Sequence, residues 1–297
     1  MKTACFAQKI ANERFYFFRE NMLLLPLEIP DKDIQKAVNS ESFLNELTGQ
    51  NSDEEDKDIF SIPSLESFKA INAVMLYKKE APQGWKEIPI RQVLSIIGGG
   101  ITKADADLGC LLRAFHIGQW RKTSRFCGSC GTRNLDADNE LARQCPGCGR
   151  MEFPRIAPAI ITMILNDKDQ ALLAHNKKFA PQMYSLIAGY NEAGESLEAT
   201  VAREIREEVN LEVKDIRYVC SQPWPFPDSL MAGFVCRHAS GDIKADNIEI
   251  EDAQWFSRDK LPSIPGNGTV SRYLIELWLE GKIGTGSILA KNCNIKY

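Results

Sequence analysis

Three glutamates carry the strongest chemical signal in this chain: Glu204, Glu207 and Glu208, in the run Arg203-Glu-Ile-Arg-Glu-Glu-Val-Asn-Leu211. On a helix, offsets of three and four residues stack side chains near one face. Like charges so placed repel, by about 0.2–0.5 kcal/mol per pair even when exposed. The cluster is therefore either a well-solvated surface or a seat for a divalent cation. Hard carboxylate oxygens suit magnesium or manganese, and magnesium uses few protein carboxylates plus substrate phosphates.

The surrounding residues show how such a helix would be held. Gly189 and Gly194 bracket a loop before it, Ser196 can cap its first turn, and Glu195 suits its positive end. Leu197, Val201, Ile205 and Val209 follow at four-residue spacing and supply a buried face. Glu204 and Glu208 fall beside that stripe, at the rim of the core, and Arg203 can pair with Glu207 four residues on. Asn210 stands where the helix should end in a left-handed residue, a conformation that Asn tolerates next best after Gly.

A second set of candidate ligands lies upstream. Cys127 and Cys130 are separated by two residues, as are Cys145 and Cys148, with fourteen residues between the pairs. Two such knuckles present four thiolates at zinc-ribbon spacing. Four ligands close the coordination sphere, which favours structural zinc; free thiols or a redox pair are the alternatives. Cys5, Cys110, Cys220, Cys236 and Cys293 show no such pairing.

The 297 residues are enough for two or three domains, and 44% hydrophobic with 26% charged residues reads as a soluble globular chain. No apolar run is long enough to span a bilayer, and the N-terminus has no apolar core of signal-peptide length, so a cytoplasmic protein is expected. The net charge of −4 argues against broad binding to nucleic acid or anionic membrane. Nine cysteines in such a chain point to thiols and metal rather than disulfides.

Three regions are expected: 1–121, 122–152 and 153–297. The first mixes short apolar runs (Met22–Leu27, Ala73–Leu76, Val93–Ile97) with a polar insert, Gly49–Asp58, read as a mobile loop. Its Ala104–Trp120 stretch has helical spacing, with Leu108, Leu111, Leu112 and Phe115 on one face. The region carries no catalytic motif; a structural or dimerisation role is expected. From Phe153 the pattern turns to strands: Ile156–Leu165, Gln170–His175, Ser185–Tyr190, Ile216–Cys220, Leu230–Cys236 and Ala253–Phe256. A last helix covers Thr269–Glu280 and stops at Gly281. Strands mixed with two helices indicate an α/β sandwich. Between strands, Ser221-Gln-Pro-Trp-Pro-Phe-Pro-Asp-Ser229-Leu-Met231 alternates prolines with aromatics and is read as a stiff loop that holds Trp224 and Phe226.

Gly189, Glu195 and Arg203-Glu-Ile-Arg-Glu-Glu-Val-Asn-Leu211 together resemble the Nudix box, with Asn210 where that family usually has Gly. Ser221–Met231 resembles the SQPWPFPxS signature of the NADH pyrophosphatase (NAD-capped RNA hydrolase) subfamily, which also carries a four-cysteine zinc ribbon before its catalytic domain. The resemblance spans about residues 90 to 285. It implies a Nudix α/β/α sandwich with a mixed sheet, preceded by a zinc ribbon and an N-terminal α+β domain. It implies hydrolysis of the pyrophosphate of NAD(H) to nicotinamide mononucleotide and AMP, with magnesium or manganese.

Roles carry over by position. Glu204 and Glu208 match metal ligands, Glu207 a third ligand or a base, the Ala188 carbonyl a metal contact and Glu249 a further ligand. Glu251 and Asp252 leave that last register open. Arg203 belongs to the catalytic set. Tyr190 and Phe153 match stacking aromatics, Phe153 reaching from the other subunit of a homodimer. Gln222, Ser229, Met231, Ser271 and Arg91 match substrate contacts. The same chemistry could remove an NAD cap from RNA. An inactive dinucleotide sensor is a third reading, against which the intact acidic cluster speaks.

Overall fold

The computed structural model describes residues 14–27, 38–39, 57–63, 70–77, 83–97, 106–284 and 287–288. These form two compact units, with the boundary between Arg155 and Ile156. Cys5 and Cys293, and residues 49–56 of the polar insert, lie outside the described residues.

The first unit is built on a six-stranded sheet. Strands β1 (Arg14–Arg19) and β2 (Met22–Pro26) pair antiparallel, and β3 (Val38–Asn39) also pairs with β1. Strand β4 (Lys57–Pro63) pairs with β5 (Ala70–Leu76), which runs parallel to β1, and β6 (Trp85–Pro89) lies on β2. Phe15, Phe17 and Phe18 are fully buried. Alternation sends Phe17 and Phe18 to opposite faces: Phe17 packs on Trp85, and Phe18 on Phe115 of a helix. Helix α1 (Ile90–Ile97) follows β6. Helix α2 (Ala106–Thr123) buries Leu111, Leu112 and Phe115, while Leu108, near its start, is only half-buried.

The insert corrects one expectation. Lys57 and Asp58 are not loop; they open β4. Asp58 receives a two-pronged hydrogen bond from Arg121 at the end of α2, at 2.6 and 3.0 Å. The same guanidinium holds Asp136 at 2.8 and 3.1 Å and lies over the Phe60 ring. Local patterning cannot show this anchor, because the partner of Asp58 lies 63 residues away.

Asp136 belongs to a small three-stranded sheet, β7 (Leu135–Asp136), β8 (Arg143–Gln144) and β9 (Met151–Glu152), all antiparallel. The two cysteine knuckles flank its strands and repeat each other. The Gly131 amide bonds to the Cys127 carbonyl and the Gly149 amide to the Cys145 carbonyl, each at 2.9 Å. Both glycines have positive φ, +74° and +76°, which a side chain would strain.

The second unit is a mixed sheet with one helix on each face. The order is β13 (Glu212–Trp224), β14 (Ser229–Ser240), β10 (Ala157–Leu165), β11 (Ala171–Asn176), β15 (Ile250–Phe256). Strands β10 and β14 are parallel; β12 (Ile187–Tyr190) pairs with the first half of β10, and β11 with its end. Helix α3 (Leu197–Val209) covers one face over Ile160, Ile164 and Phe234. Helix α4 (Val270–Leu279) covers the other over Ile161, Met163 and Val235. A short pair, β16 (Ile283–Gly284) and β17 (Ser287–Ile288), ends the described chain. Val201, Ile205 and Val209 are fully buried, as their spacing demands, and each contributes roughly 1.5–3 kcal/mol.

The Ser221–Met231 segment is the second correction. It is a β-hairpin rather than a loop: Gln222 pairs with Met231, Pro223 with Leu230 and Trp224 with Ser229. Pro223 is tolerated because β13 is the edge strand of its sheet, where one row of amides has no partner to serve. Only the tip between Trp224 and Ser229 is a turn, with Trp224 and Phe226 edge to face, 5.0 Å apart.

Candidate active site and metal centre

Helix α3 starts and stops as its sequence requires. The Ser196 hydroxyl accepts from the Ala199 amide at 3.2 Å, and Asn210 ends the helix with φ +59°. Glu195 does not merely sit at the positive end. Arg203 reaches back to it with two hydrogen bonds, 2.7 and 3.0 Å. Thr200 donates its hydroxyl to the same carboxylate at 2.9 Å, and the Glu192 amide donates at 3.1 Å. Arg203, foremost, holds the Glu195 carboxyl down to about 2. The guanidinium also donates to Glu204, to Glu207 and to the Tyr190 carbonyl, at 3.0, 3.0 and 2.9 Å. One arginine thus clamps the loop, the helix and the end of β12. The four-residue spacing to Glu207 is legible in sequence; the two-pronged bond to Glu195, eight residues back, is not.

Gly189 is needed for another reason. A Cβ there would lie 2.0 Å from the Glu204 carboxyl group, so only glycine lets that carboxylate rest against the backbone of β12 beside Ala188. Glu204 is largely buried, and burial raises its pKa against the pull of Arg203. Glu208 is buried further, to 8% exposure. Burial first, then the charges of Glu204, Glu249, Asp246 and Glu207, push it up to about 8. Its carboxylate has no hydrogen-bond or ion-pair partner among the described residues. Glu207 is the exposed member, its side chain 59% accessible.

The three downstream acids separate cleanly. Glu249 precedes β15 and is close enough to both Glu204 and Glu208 to raise their pKa values. Glu251 is the extra residue of a bulge: Asn176 pairs with Ile250 and His175 with Asp252, and Glu251 lies 3.7 Å from His175. Asp252, beyond the bulge, accepts the Tyr184 hydroxyl at 2.5 Å.

The candidate substrate residues gather on the α4 side. Gln222, Met231, Ala159 and Tyr190 are successive partners across β13, β14, β10 and β12, so their side chains share one face. Tyr190 is 52% exposed, with its hydroxyl 3.1 Å from that of Ser229. Gln222 is committed to the fold, since its amide donates to the Gly268 carbonyl and accepts from the Val270 amide. Ser271 is buried too, its hydroxyl sharing a 2.8 Å hydrogen bond with Ser185. Phe153, 55% exposed, and Arg91, exposed at the start of α1, belong to the first unit.

The thiols of Cys127, Cys130, Cys145 and Cys148 all lie within 4.8 Å of one another. Cys127 and Cys148 are 3.7 Å apart, Cys130 and Cys145 3.4 Å. Thr132 hydrogen bonds and the neighbouring Cys145 thiol lower Cys130 to about 6. Among the described residues this is the one set of three or more metal-type groups so tightly gathered; the acids of α3 remain spread. Cys220 and Cys236 are buried in the second unit, apart from this set.

Known proteins match at the positions just described. The NUDIX domain model matches residues 155–277, and the NADH pyrophosphatase zinc ribbon domain model residues 122–153. A protein of Pseudomonas aeruginosa (strain LESB58) named NAD-capped RNA hydrolase NudC is 48% identical over 197 residues, which is 66% of this chain and 68% of that one. A protein of the same name from Stutzerimonas stutzeri (strain A1501) is 46% identical over 185 residues, covering 62% and 67%. A solved NUDIX hydrolase from Nitrosomonas europaea aligns with TM-score 0.46 and 22% identity, over 55% of this chain and 95% of its own. This chain belongs to the Nudix hydrolases, in the group whose Nudix domain follows an NADH pyrophosphatase zinc ribbon.

Proposed function

We propose that the chain hydrolyses the pyrophosphate bond of NAD(H), giving nicotinamide mononucleotide and AMP, and removes NAD caps from RNA by the same reaction. The observation that carries it is Glu208: a carboxylate buried without a cationic partner, in the field of Glu204, Glu249, Asp246 and Glu207. A buried charge so placed is strongly disfavoured unless a cation joins it. The donor set, all oxygen with the Ala188 carbonyl alongside, fits magnesium or manganese. The capped-RNA reading is favoured by the name of the relatives that match this chain.

In this reading Glu204, Glu208, Glu249 and the Ala188 carbonyl hold the divalent ions. Bound there, such ions neutralise pyrophosphate charge and acidify a water. Glu207, exposed, orients the attacking water or serves as a further ligand. Arg203 fixes the acids relative to β12, because its donors are spent on Glu195, Glu204, Glu207 and Tyr190. Tyr190 offers an exposed ring for a flat base, with Ser229 and Met231 alongside and Gln222 and Ser271 shaping the floor. Phe153 supplies a second ring from the partner copy of a homodimer, and Arg91 a distant cationic contact. The four thiolates hold a structural zinc ion. The working compartment is the cytoplasm.

The test is a product assay on NADH, NAD, other dinucleotides and NAD-capped RNA, with magnesium or manganese, in heavy-oxygen water. Mass analysis should find the label on one mononucleotide product. An intact NAD(H) pool under all conditions, with other dinucleotides cleaved, would reject the substrate; no cleavage at all would reject the enzyme.

A further inference from the structure

We propose that Asp246 is a positioning residue that aims Glu249 at the acidic helix. The inference rests on the reading of Glu204, Glu208 and Glu249 as a divalent-cation site. The carboxylate of Asp246 is folded back onto its own loop. Its Oδ1 accepts from the amides of Ile248, Glu249 and Ile250 at 3.1, 3.2 and 2.9 Å, and its Oδ2 accepts again from Glu249 at 3.2 Å. Three successive amides on one carboxylate fix the backbone that carries Glu249.

The loop is fastened at its other points as well. The Asp246 amide donates to the Glu208 carbonyl at 3.0 Å and the Lys244 amide to the Val209 carbonyl at 3.1 Å. Those are carbonyls of the last turn of α3, which no helical amide can serve. From the sheet side the Lys177 amide donates to the Glu249 carbonyl at 3.0 Å. Asp246 therefore links two tasks: its amide closes the end of the helix that bears Glu208, and its carboxylate shapes the turn that bears Glu249. The bulge at Glu251 then lets β15 resume its pairing with β11.

The experiment is a Mn2+ titration followed by electron paramagnetic resonance, on the zinc-loaded full chain and its variants. Asp246→Ala should weaken Mn2+ binding by roughly tenfold or more, the usual size of a lost orienting contact to a metal ligand. Asp246→Asn keeps an Oδ1 acceptor for the three amides and should stay within about threefold of wild type. In a Glu249→Ala background, Asp246→Ala should cost no further affinity, while both single variants keep a native circular dichroism spectrum. A wild-type affinity in Asp246→Ala overturns the inference. So does an Asn variant as weak as Ala, which would make the charge itself the cause, or a further loss of about tenfold in the Glu249→Ala background. A wild-type chain that binds no Mn2+ would instead reject the parent reading, and this inference with it.

Discussion

The ribbon and the acidic site differ in how far their ligands lie apart along the chain. Four thiols from residues 127 to 148 meet within 4.8 Å, on knuckles closed by hydrogen bonds four residues long. The oxygen donors of the proposed cation site come from β12, α3 and the turn before β15, and the acids remain spread, with Arg203 holding two of them. Local turns suffice to build the first. The second needs the sheet, the helix and the 244–250 loop in register, and without a cation burial and neighbouring acids hold Glu208 in its protonated form up to about pH 8. A site that must bind, turn over and release keeps some of that burial cost in reserve; a closed structural site has no use for it.

That contrast can be broken most severely at Glu208. Glu208→Gln should lower NADH hydrolysis by about a thousandfold, the scale expected for a lost charge-stabilising group, with the fold kept. Near wild-type turnover would mean that the acids of α3 are surface charge after all. At the ribbon, Cys145→Ser should remove the bound zinc and destabilise the first unit by several kcal/mol, because metal binding there is folding energy. Elemental analysis and a thermal melt read both.

Gly189→Ala sharpens the comparison at lower cost. The added methyl must push Glu204 off β12, and roughly a tenfold loss in Mn2+ affinity is expected with little change in melting temperature. Unchanged affinity would show that Glu204 need not rest there.

A separate effect is on pH dependence without the divalent ion. The folded pKa of Glu208, about 8, is raised above the ordinary carboxylate value near 4.3. Between those values the folded state binds the extra proton, so stability falls as pH rises through the window and levels off above it. Melting of magnesium-free protein should therefore be higher at pH 6 than at pH 8. Glu208→Gln should remove most of that slope and stabilise the metal-free protein at pH 8, by on the order of 2–4 kcal/mol. A variant with the wild-type slope would place its origin elsewhere.

Much of this architecture is written in short-range spacing. The four-residue repeat of Leu197 to Val209, the cap at Ser196, the left-handed Asn210 and the cysteine pairs all depend on contacts within a turn or two, and sequence shows those directly. The grouping of Glu204, Glu207 and Glu208 on one helix is legible for the same reason. The hairpin arm at Pro223 is not, because tolerance of proline depends on being in the edge strand, a fact about neighbours in the sheet. Lys57 and Asp58 read as loop for a related reason: Arg121, the anchor of Asp58, is remote in sequence.

Sequence by itself determined which four thiols come together, which helix presents the acids and where that helix ends. Only the tertiary structure decided that Gly189 admits Glu204, that Glu195 rather than solvent occupies Arg203, and that Glu251 sits in a bulge beside His175 while Asp252 takes the Tyr184 hydroxyl. The physical reason is range. Helix caps and knuckles are closed by bonds a few residues long, whereas the burial of Glu208, and the share of its charge environment that comes from Asp246 and Glu249, depend on segments distant in sequence that meet only when the sheet forms.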